Sequence, residues 1–225
     1  MMTNRAEGKA ERAHATRELI LTVAERLFAE HGVLAVSNRQ ISEAAGQGNN
    51  AAVGYHFGTK ADLVRAIARR RSAQVEEVRQ RMLARLGDDA DLRDWIGCLV
   101  HPSAEHLAAL GSPTWFARFI AQVMTEPSLR EVVAEETLSS PSLMRTVEGL
   151  LRCLPDLPAE VRAERNAMTR QLVLHTMAER ERALAEDGFT PRASWQDAAS
   201  GLTDALVGLW LAPVTTPQNE GKAER

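Results

Sequence analysis

The chain reads as all-α, and three observations support this. Apolar residues recur at spacings of three and four along most of its length, and no β-branched alternating run of strand length occurs. Helix-start and helix-stop residues punctuate that pattern throughout. Apolar side chains make up 44% of the 225 residues and charged ones 25%, the balance of a globular protein able to bury a core.

Residues 1–14 show no apolar period and are expected to form a flexible arm. From Thr16 onward, Leu19, Ile20, Val23, Ala24, Leu27 and Phe28 share a helical face, and Gly32 follows as a stop. Ser37 with Gln40 three residues on is a capping-box start. Ile41, Ala44 and Ala45 then give a short apolar face, broken by Gly46 and Gly48. A second short helix is predicted from Asn49 to His56. After Phe57-Gly58, Thr59 and Asp62 suit the cap and third position of a long helix over Lys60–Leu86. Further breaks fall at Gly87–Asp89, His101-Pro102, Gly111–Pro113, Glu126-Pro127, Ser139–Pro141, Pro155–Pro158 and Gly188–Pro191. Two helices close the chain, Pro158 to Asp187 and one starting at Ser194. The segment 213–225 is polar and is expected to be a flexible tail.

Composition excludes several classes. No stretch approaches the roughly 20 apolar residues of a membrane helix, and the charged start lacks the apolar region of a secretory signal, so the expected location is the cytoplasm. Two cysteines, Cys98 and Cys153, make no disulfide framework and read as small core residues. The net charge of -3 is unevenly spread. Residues 1–85 hold 14 basic and 9 acidic side chains, and the remainder holds 13 and 21. A basic first third on an acidic body is the asymmetry of a DNA-binding head on a carrier.

Ser37 to Lys60 carries the informative constellation. Two short helices around a tight Gly-containing turn form a helix-turn-helix, spanning 38–57, whose second helix enters the major groove. Gln47, Asn49 and Asn50 have side chains that read adenine bidentately, and Ala51 is small enough to touch a thymine methyl. Tyr55 and His56 end that helix with groups able to bond phosphate. Lys60 opens the next helix, where its charge adds to the positive end of the helix dipole beside a phosphate. Phe57 reads as core.

Tyr55-His56-Phe57-Gly58, Lys60 and Leu63, with Ile41, Ala44-Ala45-Gly46 upstream, resemble the TetR (tetracycline-repressor-like) family. So do Thr16-Arg17, Ile20 and the run Leu27 to Gly32. The resemblance covers about residues 13–74. It implies a three-helix DNA-binding domain at 15–74, with phosphate contacts at Ser37, Tyr55, His56 and Lys60 and backbone contacts at Thr16 and Arg39. Base reading falls to Gln47, Asn49, Asn50 and Ala51. Gly48 and Gly54 depart from the family's usual Ser and larger residue, which bears on individual base contacts and not on the fold.

The same resemblance implies a helical ligand-binding and dimerisation domain, here 75–212, with the last two helices forming a four-helix bundle between subunits. The final helix also points to a partner by itself, since a broad apolar face needs cover. Leu172, Trp195, Leu202, Leu206, Leu209 and Trp210 are the candidate interface residues. Trp115, Phe116, Phe119, Met124, Met144, Met168 and His175 are the candidate pocket, although aromatic and Met residues at helical spacing also simply fill cores. The expected partners are double-stranded operator DNA, a second copy of the chain and a small-molecule effector; no cofactor is implied. His101, Glu105 and His106 flank Pro102, which is expected to interrupt the helix and spoil a metal set. The reading is a homodimeric repressor released from a palindromic operator by a small molecule. An activator or a protein-signalled repressor shares the same head. A helical enzyme is the further alternative, for which no glycine-rich phosphate loop, Ser-His-Asp order or Cys-x-x-Cys is present.

Overall fold

The computed structural model describes residues 3–49 and 51–215. Among them are ten α-helices and no strand. They are α1 (Thr3–His31), α2 (Asn38–Ala44), α3 (Ala52–Phe57), α4 (Lys60–Leu83), α5 (Leu92–Leu110), α6 (Phe116–Thr125), α7 (Pro127–Leu138), α8 (Pro141–Arg152), α9 (Ala159–Ala185) and α10 (Trp195–Leu211).

Local chemistry sets most of these ends. Ser37, Thr59, Asp91 and Ser194 each close a capping box with the residue three positions on. α6 lacks a cap of its own. Its first amides, Ala117 and Arg118, donate to the carboxylate of Glu181 on α9, which also accepts from Thr114 Oγ1 at 2.7 Å. An anion at a helix start satisfies orphan donors and the dipole together. At the other end of the bundle, Arg165 of α9 donates to Trp210 O and Ala212 O and so caps α10.

Three sequence expectations are corrected. The segment 3–14 is not an arm; it is the first three turns of α1. Ala10 to Ala15 are exposed there, so helix propensity in an Ala, Glu and Arg-rich stretch sustains what no apolar face does. The second helix of the pair begins at Ala52 rather than Asn49. Asn49 accepts from Ala51 N at 2.9 Å, a side-chain turn that competes with helix. Pro102 lies inside α5 and does not end it. It removes the amide that would have donated to Cys98 O, and Arg79 Nε donates to that carbonyl instead, at 3.2 Å. Of the expected tail, 216–225 lie outside the described residues.

Two apolar cores form. The first joins α1, α2, α3 and the start of α4 through Ile20, Phe28, Ile41, Val53, Leu63 and Ile67, and it takes in Phe119 and Val123 of α6. The second gathers α5, α8, α9 and α10 through Trp95, Ile96, Leu150, Met177, Leu206 and Trp210. Four expected interface residues, Trp195, Leu202, Leu206 and Trp210, are buried in this second core. They are corrected to core residues, because α10's broad apolar face is covered by α5 of the same chain.

Trp95 fixes how α8 packs. A Cβ on Gly149 would lie 2.3 Å from its ring carbons, and the Arg152 guanidinium stands 5.7 Å from the ring centroid. Gly149→Ala is expected to cost about 1–3 kcal/mol through overpacking, measured by urea unfolding against wild type.

His106, 5% exposed, lies edge-on to Phe116, and its Nε2 has no partner among the described residues. Burial, then the charge of Arg71, outweighs Glu25 and lowers its pKa to about 4. The unfolded chain therefore takes up this proton before the folded one does. As pH falls from about 6.5 to about 4, the folded state is expected to lose on the order of 3 kcal/mol from this group, with no further loss below. Urea titrations of wild type and His106→Leu across that range test it, the variant losing this part of the slope.

Candidate nucleic-acid interface

α2 and α3 pack at the tip of the first core, and the turn between them is held from within. Gln47 donates from Nε2 to Ala45 O at 3.0 Å, and Gly46 adopts a left-handed φ of 64°. The turn needs glycine there because a side chain is strained at that angle. Ile41 and Val53 are fully buried and lock the two helices together.

Several of the predicted residues are exposed on the outer surface of this unit. Ser37 is exposed as the cap of α2. Arg39 projects with its side chain 72% exposed and pairs with Glu43 at 2.7 Å, a contact that raises its pKa through that hydrogen bond and charge. Ala51 is the exposed cap of α3. Tyr55 is 84% exposed, its ring edge-on to His56 at 5.1 Å. A large aromatic so exposed, on a helix whose other face is fully buried, is a group held out for contact. Thr16 is half-buried on α1. Asn50 lies outside the described residues.

Lys60 is corrected. Its Nζ donates to Val33 O at 2.9 Å and to Val36 O at 2.7 Å, across the loop between α1 and α2. Burial lowers its pKa, and two of its three protons are committed to carbonyls of the chain. Arg17 is a residue that sequence reasoning left out. Its guanidinium lies 4.8 Å over the Phe57 ring and shares a cleft with His56, Arg65 and Arg70. Arg65 and Arg70 are engaged by carboxylates of Asp62, Glu18 and Glu25, whereas among the described residues the one carboxylate paired with Arg17 is Glu18, at 3.9 Å. A basic residue beside Thr16 was its signal in the sequence.

A pocket of about 410 Å³ opens between the two cores, against α4. Among the predicted pocket residues only Phe116 lines it. Trp115 and Phe119 pack in the first core, and Met124 is half-buried beyond the pocket lining. Met144, Met168 and His175 are exposed, so these six are corrected. Helical spacing identifies apolar faces and does not say which face borders a void. The missed lining residues Ser72, Glu76 and Arg79 share one face of α4, and polar groups four and three apart on a helix's inner face were the readable sign.

Two family descriptions match the chain: "Bacterial regulatory proteins, tetR family" over residues 20–67 and "Tetracyclin repressor-like, C-terminal domain" over 97–208. The chain belongs to the TetR family. It is a DNA-binding transcriptional regulator, as members of that family are. The HTH-type transcriptional repressor AcnR of Corynebacterium glutamicum is 26% identical over 196 residues, 85% of this chain and 88% of AcnR. The fold is shared with PfmR from Thermus thermophilus, with a TM-score of 0.53 at 19% identity over 83% of this chain and 96% of PfmR. It is shared also with Mycobacterium smegmatis AmtR, at 0.55 and 21% over 84% and 85%. Among the described residues of this TetR-family chain no helix is long and apolar enough to cross a membrane.

Lys60→Met keeps the aliphatic stem and removes both loop contacts. It is expected to cost about 1–3 kcal/mol and to speed amide exchange around Leu34, while leaving the salt dependence of DNA binding as in wild type. Denaturant unfolding, exchange and a salt series of gel shifts measure the three.

Proposed function

We propose that the chain is a cytoplasmic, homodimeric repressor that grips a palindromic operator through residues 15–74 and leaves it when a small molecule fills the pocket between α4 and the regulatory domain at 75–212. The observation that carries this reading is the position of the pocket. Its wall includes Ser72, Glu76 and Arg79 of α4, and the same helix supplies Leu63, Val64 and Ile67 to the core of the head. Whatever enters the pocket touches the element that orients the DNA-binding surface. AcnR, named a repressor, supports the sign of the regulation.

On the DNA, Ser37, Arg39, Tyr55, His56 and Arg17 are assigned to phosphates, with Thr16 beside them. Gln47, Asn49, Asn50 and Ala51 are assigned to base edges. For the dimer, Met168 (48% exposed) and Leu172 (39%) lie one turn apart on α9, and Leu211 is exposed at the end of α10. Leu209 of α10 is half-buried. Two copies joined on these faces would place their α3 helices about one DNA turn, ~34 Å, apart. A ligand preferring the conformer with the wrong spacing shifts the population off DNA.

Selection of bound fragments from genomic DNA is expected to return a two-fold-symmetric site. Tyr55→Ala and Arg17→Ala should each weaken binding to it and reduce the slope of log affinity against log salt by about one. Leu172→Glu should yield a folded monomer by sedimentation, with the operator bound far more weakly. Absence of any salt-sensitive preference for symmetric DNA would overturn the reading.

A further inference from the structure

Four charged side chains line the pocket: Arg69, Glu76, Arg79 and Glu136. Three of them are occupied within the chain. Arg69 Nε meets Glu136 at 2.7 Å, and Arg65 adds a second cation to that carboxylate at 3.6 Å. Glu76 accepts from the hydroxyls of Ser140 and Ser142, from Ser142 N at 3.2 Å and from Gln80 Nε2 at 3.0 Å. Burial pushes its pKa up, but these hydrogen bonds outweigh it, so the group is held as a carboxylate.

Arg79 is the exception. It is 7% exposed. Nε is fixed on Cys98 O, the carbonyl that Pro102 leaves free. Nη1 has only long contacts, 3.5 Å to Ser142 Oγ and 3.6 Å to Glu76. Nη2 has no partner among the described residues. No side-chain nitrogen of Arg79 is both sealed from solvent and without a partner, so the unengaged Nη2 keeps open space beside it, and a carboxylate is the group whose geometry matches a guanidinium fork. Ser72 and Ser103 line the same pocket with hydroxyls that make no hydrogen bond among the described residues. The rest of the wall is mainly apolar, with Leu107, Phe116, Ile120, Val173 and Met177 among it. At about 410 Å³ the space is within the usual range for small-molecule sites, roughly 300–1,000 Å³.

We infer that this pocket takes an amphiphilic carboxylate, its anionic head on the free Nη2 of Arg79 and its apolar body along Phe116, Ile120 and Met177. An amine is disfavoured, because both carboxylates are already taken up by donors of the chain. A neutral alcohol accepts one N–H of Arg79 but brings neither the charge nor the paired oxygens of a carboxylate. The inference rests on reading the pocket as the effector site and adds the effector's chemical class.

The test uses the full chain without DNA and three probes of one length: decanoate, decanol and decylamine. Calorimetry is expected to show decanoate binding about tenfold or more tighter than decanol, and decylamine weakest. Arg79→Met should bring decanoate to the level of decanol, and Ile120→Trp, which fills the space, should weaken both. With carboxyl-labelled decanoate, NMR should show the bound head titrating below its value in free water, a readout that needs no variant and stands if Arg79→Met does not fold. Equal affinity for decanoate and decanol, an Arg79→Met protein that keeps the preference, or a bound carboxyl titrating above its free value would each overturn the inference. A separate footprint on the selected operator keeps the two readings apart. Decanoate that binds without releasing DNA refutes the effector reading alone, and release by decanol as readily as by decanoate refutes the carboxylate assignment alone.

Discussion

Glu25 of α1 is 1% exposed, a place where a lone carboxylate could not remain charged at acceptable cost. It stays because α4 offers two guanidinium groups. Arg71 grips it with two parallel bonds, Nε at 2.9 Å and Nη2 at 2.8 Å, and Arg70 adds a third at 2.9 Å while also reaching Thr22. The pairing is directional, and breaking one side strands a buried charge, so it specifies the α1–α4 angle more sharply than apolar contact does. Everything on the DNA-facing side inherits that angle. α2 and α3 are short, seven and six residues, and hold their places only by packing on α1 and α4. Lys60 then fastens the loop that leads into α2.

α6 ties the head to the rest by a second route. Its start is held by Glu181 of α9, a carboxylate 1% exposed, and its later residues Phe119 and Val123 are buried in the head's core. α9 also carries the exposed Met168 and Leu172 face assigned to the partner subunit. The head is thus fixed to the body along α4 and again along α6, and residues 15–74 do not close their core without residues drawn from 116–133. The domain division is one of function more than of packing.

The legible part of the structure was the part written in local chemistry. Capping boxes at Ser37, Thr59 and Ser194, stops at Gly32 and Gly111, and the Tyr55 to Leu63 string are short-range signals, and the helices sit where these put them. What failed depends on long-range partners. Lys60 read as a phosphate ligand because nothing in its own helix shows that Val36 O and Val33 O wait 24 and 27 residues away. Trp195 and Trp210 read as interface because an apolar helix face announces that it will be covered and not by which chain. Pro102 read as a break because its usual cost is a lost hydrogen bond, and here Arg79 donates to the orphaned carbonyl from another helix. The pocket was missed for the same reason: a void is a property of several helices at once, and no single period encodes it.

That last substitution of partners bears on how a signal would travel. Arg79 holds α4 to α5 through one bond to Cys98 O, with its other contacts long, and it stands 19 residues along α4 from Lys60, roughly 28 Å of helix. Between the two lie Arg70 and Arg71, gripping α1. A helix fastened along its length, by Lys60 at the head end, Arg70 and Arg71 at the midpoint and Glu76 at the pocket, transmits a tilt more readily than a local distortion. A ligand on Arg79 acts only if its contacts differ between two tilts of α4, and the unengaged Nη2 is the group with freedom to differ, since Nε is already committed. The weakly satisfied cation at the pocket and the firmly satisfied pair at Glu25 are therefore complementary: the first can be answered by something outside the chain, and the second passes the consequence to the DNA-facing helices.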